Sequence, residues 1–216
     1  MSHDLAQLRT IFTSALASDC LDAMGYGNQV LGEDIHMLSG EGVMLGYAFP
    51  VQIEVVDSFP EVPYVGLLKA LDAIQKDQVY VTPTARAGKA SLWGELLSTA
   101  CNFKGVVGSL ADGPSRDLAR TRDMGFKIFG TGSLPVDING RYEVVEHNVP
   151  GVIDGVSINP GDLIVGDVDG VTIVPVAAIN EVVARVIEKN SGESNFRKAV
   201  KEGMAPSAAF AKFGVL

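Results

Sequence analysis

Residues 104–125 carry the sequence KGVVGSLADGPSRDLARTRDMG, which predicts a strand, a turn and a helix in direct succession. The apolar run at 106–110 has the length of a buried strand. The residues at 111–115 are typical of a turn, and a helix is expected over 118–124 because Gly125 ends it. Ligands of α/β proteins bind beyond the carboxyl ends of the strands, so this junction is a candidate site.

Helical and strand-like patterns flank this unit on both sides. The predicted helices lie at 5–17, from Ser18 or Asp19 to Gly25, at 65–74, 91–103 and 176–190, and after a polar break at 191–195. The predicted strands lie at 42–56, with an interruption at Pro50, at 78–82 and 127–130, and within a β-rich stretch at 142–175. This order favours one α/β domain over residues 1–216, with layered sheets and flanking helices.

The composition limits the classes of partner. The chain has 26 acidic and 17 basic residues and a net charge of −9, which argues against nucleic-acid binding. No apolar run reaches the length of a membrane span and no signal-peptide pattern opens the chain, so we expect a cytoplasmic protein without a membrane partner. Cys20 and Cys101 are expected as buried, reduced thiols. The mean hydropathy of +0.22 is high for a soluble protein, which favours a homo-oligomer, with a densely buried sheet as the alternative explanation.

Arg116 and Asp117 follow the turn in the central unit and are the first candidate site residues. An arginine offers a planar fork that binds a carboxylate through two hydrogen bonds. An aspartate supplies a hard oxygen ligand suited to Mg²⁺, which takes only one or two protein carboxylates and otherwise keeps water. A structural alternative is that Asp112 or Ser115 caps the helix and that the pair lies on its solvated first turn.

Glu95 is the second candidate, near the start of the helix predicted at 91–103. The small-residue run Ala-Gly-Lys-Ala at 87–90 precedes this helix, and backbone N–H groups at such a turn can bind a carboxylate. The structural alternative for Glu95 is an acid that interacts favourably with the helix dipole.

These segments together resemble the RraA-like family. The resemblance lies in WGELLSTA at 93–100, GVVG at 105–108, Asp112-Gly113 and Arg116-Asp117, with SDCLDAMG at 18–25 and GDLIVGDVDGVTIVP at 161–175. The enzymes of the family carry an acid, twenty residues and then Arg-Asp, and Glu95, residues 96–115 and Arg116-Asp117 fit this spacing. The family contains class II aldolases that act on 4-hydroxy-4-methyl-2-oxoglutarate (HMG) or 4-carboxy-4-hydroxy-2-oxoadipate (CHA), and also the regulator of ribonuclease E activity.

The resemblance implies a role for each site residue. Asp117 would bind a divalent metal, Mg²⁺ or Mn²⁺, and Arg116 would hold the pyruvyl oxygens of the substrate and stabilise the enolate. The backbone amides from Gly94 through Leu96 and Leu97 would receive the C1 carboxylate, and Glu95 would position a water for proton transfer. Glu95 stands where the aldolases usually have aspartate, which leaves the preferred substrate open.

The resemblance also implies a fold, an assembly and a reaction. The fold would be the family's swivelling β/β/α domain, assembled as a trimer or hexamer with active sites between subunits, one further acid coming from a neighbouring subunit. The reaction would be cleavage of HMG- or CHA-type 4-hydroxy-2-oxo acids to pyruvate, decarboxylation of oxaloacetate, or both.

Two other functions compete with this lyase activity. One is a non-catalytic regulator that binds ribonuclease E, but that protein does not fully keep the Arg-Asp pair with its upstream acid. The other is a methyltransferase, as relatives are sometimes labelled. Its common S-adenosylmethionine site needs a glycine-rich turn after an early strand, and no GxGxG occurs in this sequence.

Overall fold

The computed structural model describes residues 3–85 and 90–215. The helices are α1 (Leu5–Leu8), α2 (Ser14–Ala23), α3 (Val65–Ala73), α4 (Glu95–Phe103), α5 (Leu118–Asp123), α6 (Ile179–Lys201) and α7 (Pro206–Phe213). The strands are β1 (His36–Ser39), β2 (Met44–Val55), β3 (Gln78–Thr82), β4 (Gly108–Ala111), β5 (Lys127–Gly130), β6 (Tyr142–His147), β7 (Gly151–Ile153), β8 (Val156–Ile158), β9 (Leu163–Asp167) and β10 (Gly170–Val174). The predicted α/β class is confirmed.

Eight strands form one curled sheet in the order β1-β5-β4-β3-β2-β9-β10, with β6 paired to the second half of β2. Strands β2, β3, β4 and β5 are mutually parallel neighbours. Their carboxyl ends therefore lie along the same edge of the sheet, as expected for a site built on loops that follow parallel strands. Strands β7 and β8 form a separate hairpin.

Strand β2 continues through Pro50, so the predicted interruption is wrong. The first part of β2 pairs with β9 up to Tyr47, and the last part pairs with β6 from Val51. Pro50 stands where the strand changes this partner, and its carbonyl accepts the Asn148 N–H at 2.7 Å. A proline is tolerated at this position because it lies between the segments that pair with β9 and with β6, where no backbone N–H of residue 50 is needed for strand pairing.

Helices cover one face of the sheet, and the other face packs on itself and on the hairpin β7–β8 through a buried cluster in which no described residue is helical. On the helical face, one buried cluster joins α3 and α4 to the sheet through Leu71, Tyr80 and Cys101. A second cluster joins α1, α2 and α6 to β9 and β10. Cys20 and Cys101 are buried, as predicted, and neither forms a disulfide. Among residues 3–85 and 90–215, no helix has the length and apolar content needed to cross a membrane.

The first helix does not run from residue 5 to residue 17 as predicted. Helix α1 ends at Leu8 and α2 begins at Ser14, so the predicted boundary between the two helices near Ser18 is wrong. Thr13 caps α2, and its hydroxyl accepts the Leu16 N–H at 3.0 Å. Ser14 is then fixed by Asp167, whose carboxylate accepts the Ser14 N–H at 2.7 Å and its hydroxyl at 2.6 Å. This buried carboxylate ties the start of α2 to the turn after β9, a contact that helical periodicity cannot show.

The polar break predicted at 191–195 does not end a helix. Helix α6 runs through it to Lys201 and carries a pair of Glu193 and Arg197 one turn apart at 3.4 Å. Ser194 donates its hydroxyl to the Asn190 carbonyl at 2.8 Å. The polar residues are satisfied along the helix itself and in water, so the lack of apolar side chains does not interrupt it.

Candidate active site

The segment 91–94 is not helical and is held between two neighbouring loops. Its backbone hydrogen bonds run from Ser91 N–H to Val136 (2.7 Å), from Leu92 N–H to Pro114 (2.9 Å) and from Arg116 N–H to Trp93 (2.9 Å). A helix that began at Ser91 would need the Trp93 carbonyl as an internal acceptor, but this carbonyl accepts the Arg116 N–H instead. Helix α4 therefore begins at Glu95, and the helix start predicted at 91 is wrong.

Trp93 connects the start of α4 to the core. Its buried indole stacks on Phe126 with ring centroids 5.9 Å apart. The indole N–H donates to the Ser98 hydroxyl at 2.8 Å, and that hydroxyl donates to the Gly94 carbonyl at 2.9 Å. The hydrophobic core thus fixes where the first turn of α4 begins.

Gly94 permits a close approach between α4 and the loop that carries Arg116 and Asp117. A Cβ at position 94 would lie 2.9 Å from Asp117 Oδ2 and 3.2 Å from Arg116 Cγ. The φ of Gly94 is −165°, which any residue can adopt. The position therefore needs a glycine for space and not for backbone freedom.

Arg116 lies between two carboxylates. Its Nη2 is 3.3 Å from Asp137 Oδ1, and its Nε is 3.8 Å from Asp117 Oδ2. The Arg116 side chain remains 37% exposed and that of Asp117 46%, so both are accessible to a ligand. The guanidinium is therefore held from two sides but not enclosed.

Asp117 has a left-handed backbone conformation with a φ of 56°. It precedes α5 as the N-cap, and its own side chain makes no capping hydrogen bond there. One of its oxygens instead accepts the Glu95 N–H at 3.3 Å. A non-glycine residue in this conformation is uncommon, and such residues cluster at functional sites.

Glu95 presents two different groups to its surroundings. Its backbone N–H faces Asp117, whereas its carboxylate is 3.9 Å from Arg120 Nη1 and accepts the Thr99 hydroxyl at 3.2 Å. The carboxylate is thus held at the rim of the site by one cation and one hydroxyl.

A cleft of about 260 Å³ joins these residues. Gly94, Glu95, Leu96, Leu97, Arg116 and Asp117, which are all the predicted site residues, line it together with Tyr64, Leu67, Leu68, Ser91, Leu92, Trp93, Asp137 and Ile138. One part of the wall is apolar and includes Leu96, whose surface is 75% exposed. The predicted convergence of an arginine, an aspartate and a glutamate on one cleft is present in the structure.

The structural alternative for the loop before α5 is wrong. Asp112 is buried and accepts the Thr84 N–H at 2.7 Å, and Ser115 is also buried. Neither caps α5, and Arg116 and Asp117 precede the helix instead of lying on its first turn. Of the small-residue run at 87–90, residues 87–89 lie outside the described residues.

Sequence reasoning missed Asp137 and Tyr64. Asp137 accepts the Tyr64 hydroxyl in a short hydrogen bond, and this bond, with burial, raises the pKa of Tyr64. Both residues lie in loops without a recognisable motif, so only the fold brings them to Arg116. No signal in the sequence distinguishes them from solvent-facing loop residues.

A divalent cation in this cleft would find few protein ligands. Among residues 3–85 and 90–215 no group of three or more His, Cys, Asp or Glu side chains could hold a metal ion. Asp117 is an exposed carboxylate at the mouth of the cleft, and Mg²⁺ commonly binds through one or two carboxylates and several waters. The residues present therefore fit a water-rich site on Asp117 and do not fit an all-protein cage.

The comparisons with known proteins identify the family of the chain. The family model described as RraA-like, Aldolase/RraA, matches residues 14–173. A candidate 4-hydroxy-4-methyl-2-oxoglutarate aldolase of Halalkalibacterium halodurans is 28% identical over 206 residues, which cover 95% of this chain and 92% of that protein.

Two further proteins show the same likeness. Protein DlpA of Legionella pneumophila is 28% identical over 190 residues, which are 88% of this chain but only 30% of the length of DlpA. The crystal structure of Streptomyces coelicolor RraAS2, described as an unusual member of the RNase ES inhibitor RraA protein family, has a TM-score of 0.77 at 27% identity. The match covers 88% of this chain and 94% of RraAS2.

Proposed function

This chain belongs to the RraA-like family, and from that membership and the cleft around Arg116 we propose that it is a divalent-metal-dependent lyase that forms pyruvate. Its substrates would be 4-hydroxy-2-oxo acids of the HMG or CHA type, oxaloacetate, or both. The observation that supports this most directly is that Glu95, Arg116 and Asp117 line one cleft at the start of α4.

The start of α4 and Arg116 together suit the carboxylate of a 2-oxo acid. The N–H groups of Leu96 and Leu97 belong to the first helical turn, where backbone donors have no partner inside the helix. A helix N-terminus also favours negative charge. The proposed role of these amides is to bind the C1 carboxylate, while Arg116 binds the keto oxygen and stabilises the enolate that bond cleavage leaves.

The charges of the cleft support a role for a cation. Among the described lining residues, the carboxylates of Glu95, Asp117 and Asp137 outnumber the single guanidinium of Arg116. A dianionic keto acid would be repelled by this excess, and a divalent cation, Mg²⁺ or Mn²⁺, would reverse it. Asp117 would hold the cation, which when bound supplies Lewis-acid stabilisation of developing negative charge.

Glu95 would take part in the proton transfers of the reaction. Cleavage of a 4-hydroxy-2-oxo acid removes a proton from the hydroxyl group and returns one to the enolate carbon. The Glu95 carboxylate, oriented by Thr99 and Arg120, would hold the water that carries this proton. A direct contact with the reacting carbon is not needed for this role.

The proposed assembly is a homo-oligomer, a trimer or hexamer. Two apolar side chains that line the cleft are exposed, Leu68 at 55% and Leu96 at 75%, and Phe103 at the far end of α4 is 93% exposed. Exposed apolar surface of this kind beside a site is typical of a subunit interface. A neighbouring subunit covering it would also exclude water from the cleft.

The proposal is tested by measuring pyruvate with a coupled lactate dehydrogenase assay on HMG, CHA and oxaloacetate, with and without Mg²⁺ or Mn²⁺. We expect wild-type protein to release pyruvate only with metal, and EDTA to abolish release. Arg116→Ala and Asp117→Ala should each lower kcat/KM by about 100-fold or more, the usual effect of removing one transition-state contact. Arg185→Ala and Asp123→Ala, outside the cleft, are matched controls and should retain activity. Full activity of either cleft variant would remove that residue from the mechanism.

The likeness to RraAS2 supports a second candidate, a regulator that binds ribonuclease E. The lyase is the better-supported proposal because the three residues that the regulator does not fully keep converge on one cleft here. A pull-down against ribonuclease E at physiological salt separates the two functions. Binding without pyruvate release would favour the regulator.

A further inference from the structure

The Arg116 guanidinium has a second anchor, Asp137, on the loop after β5. Asp137 Oδ1 is 3.3 Å from Arg116 Nη2, and the same oxygen accepts the Ile138 N–H at 2.9 Å. The other oxygen accepts the Tyr64 hydroxyl. Both oxygens of Asp137 are therefore engaged, which fixes the plane of the carboxylate that faces Arg116.

Tyr64 is held in a conformation that costs free energy. It precedes α3 with a φ of 63° and a ψ of 16°, the left-handed region that L side chains rarely adopt. Asp117 shares this conformation, and both residues line the same cleft. Backbone strain of this kind persists only when the surrounding contacts require it, and it occurs preferentially at functional sites.

The direction of the hydrogen bond decides what Tyr64 can do. Its hydroxyl donates to Asp137, and this bond raises the pKa of Tyr64, so the phenol stays neutral. A phenol that already gives its proton to a carboxylate is not available to protonate a substrate. Tyr64 is therefore suited to hold Asp137 in place and not to act as an acid.

Asp137 also determines how close Arg116 lies to Asp117. The guanidinium is 3.8 Å from Asp117 Oδ2 and closer to Asp137. If Asp137 lost its charge, Asp117 would be the remaining strong partner, and Arg116 would move towards it. A close Arg116–Asp117 pair would cover the oxygen proposed to bind the cation and would turn the guanidinium away from the keto acid.

We propose that Asp137 is a positioning residue that aims Arg116 into the cleft and keeps it off Asp117, and that Tyr64 acts only by holding Asp137. The catalytic meaning of this arrangement rests on the proposed lyase function. The anchoring itself is a property of the protein without substrate and is measured separately.

The anchoring is tested with phenylglyoxal, which modifies arginine side chains and whose product at each arginine is quantified by peptide mass spectrometry. Arg120 serves as the internal reference because it is more exposed than Arg116. Asp137→Asn should change the rate of modification of Arg116 relative to Arg120 by about fivefold, because the guanidinium loses its charge-assisted hydrogen bond to Asp137 and moves to Asp117. Tyr64→Phe should have a smaller effect in the same direction. Asp123→Asn and Tyr26→Phe are the matched controls, and an unchanged ratio in Asp137→Asn would overturn the anchoring.

A double-mutant cycle tests the order of action. If Tyr64 acts only through Asp137, adding Tyr64→Phe to Asp137→Asn should not change the Arg116 ratio further. An additional change as large as that of Tyr64→Phe alone would overturn that half of the proposal. Thermal unfolding of each variant checks the fold, and Asp137→Ser replaces Asp137→Asn if the latter does not fold.

The pyruvate assay then tests the catalytic consequence. Asp137→Asn should lower kcat/KM by about 10- to 100-fold and weaken the binding of Mn²⁺ followed by electron paramagnetic resonance. Neither change should appear when Asp137→Asn is added to Arg116→Ala, because Asp137 acts through that arginine. Normal kcat/KM in Asp137→Asn would overturn the positioning role. Absence of pyruvate release from wild type would instead refute the lyase function and would leave the phenylglyoxal result standing.

Discussion

Gly94→Ala should damage the cleft without damaging the fold. The added Cβ would lie 2.9 Å from Asp117 Oδ2 and 3.2 Å from Arg116 Cγ, both shorter than an ordinary van der Waals contact. The backbone at position 94 is extended, so alanine is conformationally permitted there. The contact must therefore be relieved by movement of the Asp117 carboxylate and the Arg116 side chain by a few tenths of an ångström.

The expected loss follows from that displacement. A misplacement of about 1 Å in a catalytic group can cost about 100-fold in rate, so a shift of less than half of that should lower kcat/KM by about tenfold. The free energy of unfolding should change by no more than about 1 kcal/mol, because the atoms that move belong to two partly exposed side chains.

The assay for Gly94→Ala combines pyruvate release with thermal unfolding. Gly27→Ala is the matched control, since a Cβ at Gly27 would meet no atom within 4 Å. We expect normal unfolding in both variants and reduced activity only in Gly94→Ala. Wild-type activity of Gly94→Ala, or a loss explained entirely by unfolded protein, would refute the steric argument.

Two further predictions concern stability. Lys104 donates to the carbonyls of Leu71 (2.7 Å), Asp72 (2.7 Å) and Ile74 (3.1 Å) at the end of α3. Lys104 therefore caps the carboxyl end of α3, and Lys104→Met should lower the free energy of unfolding by about 1–2 kcal/mol in urea titrations. Lys76→Met is the control at an exposed lysine and should change the free energy of unfolding by less than about 0.5 kcal/mol. Equal effects of the two substitutions would contradict the capping role of Lys104. Burial raises the pKa of Cys101 from 9.0 to about 12. The protonated Cys101 thiol contributes fully to the free energy of unfolding below pH 9.0. This contribution is lost as the pH rises towards 12, because the thiol loses its proton at a lower pH in the unfolded chain than in the folded one. Cys101→Ala should flatten this alkaline decline, and an unchanged slope would contradict it.

The sequence predicts the local elements of the site well because each one has a local signal. The strand, turn and helix around residues 106–123 follow from an apolar run, a turn with Gly and Pro, and a glycine at the helix end. Gly94 to Leu97, Arg116 and Asp117 are candidate site residues because of the resemblance to the RraA-like family. The structure places all of them on one cleft.

The helix boundaries that were predicted wrongly are those that tertiary contacts determine. Helix α4 begins at Glu95 and not at residue 91 because the preceding backbone bonds to the loops at 114–116 and 136. Helix α2 begins at Ser14 because Asp167, far along the chain, accepts its N–H. Apolar periodicity measures which face of an element is buried, and it contains no information about such partners.

Asp137 shows most clearly why the site is larger than its motif. Strands β3, β4 and β5 are adjacent and parallel, so the loops that follow them all begin at the same edge of the sheet. The loop after β3 leads to Gly94 and Glu95, the loop after β4 carries Arg116 and Asp117, and the loop after β5 carries Asp137. The sequence motif of Glu95, Arg116 and Asp117 includes residues that follow β3 and β4 only. The third contribution depends on β5 lying beside β4, a pairing that no local pattern specifies. Arg116 is therefore expected to depend on a carboxylate that only the strand order brings to it.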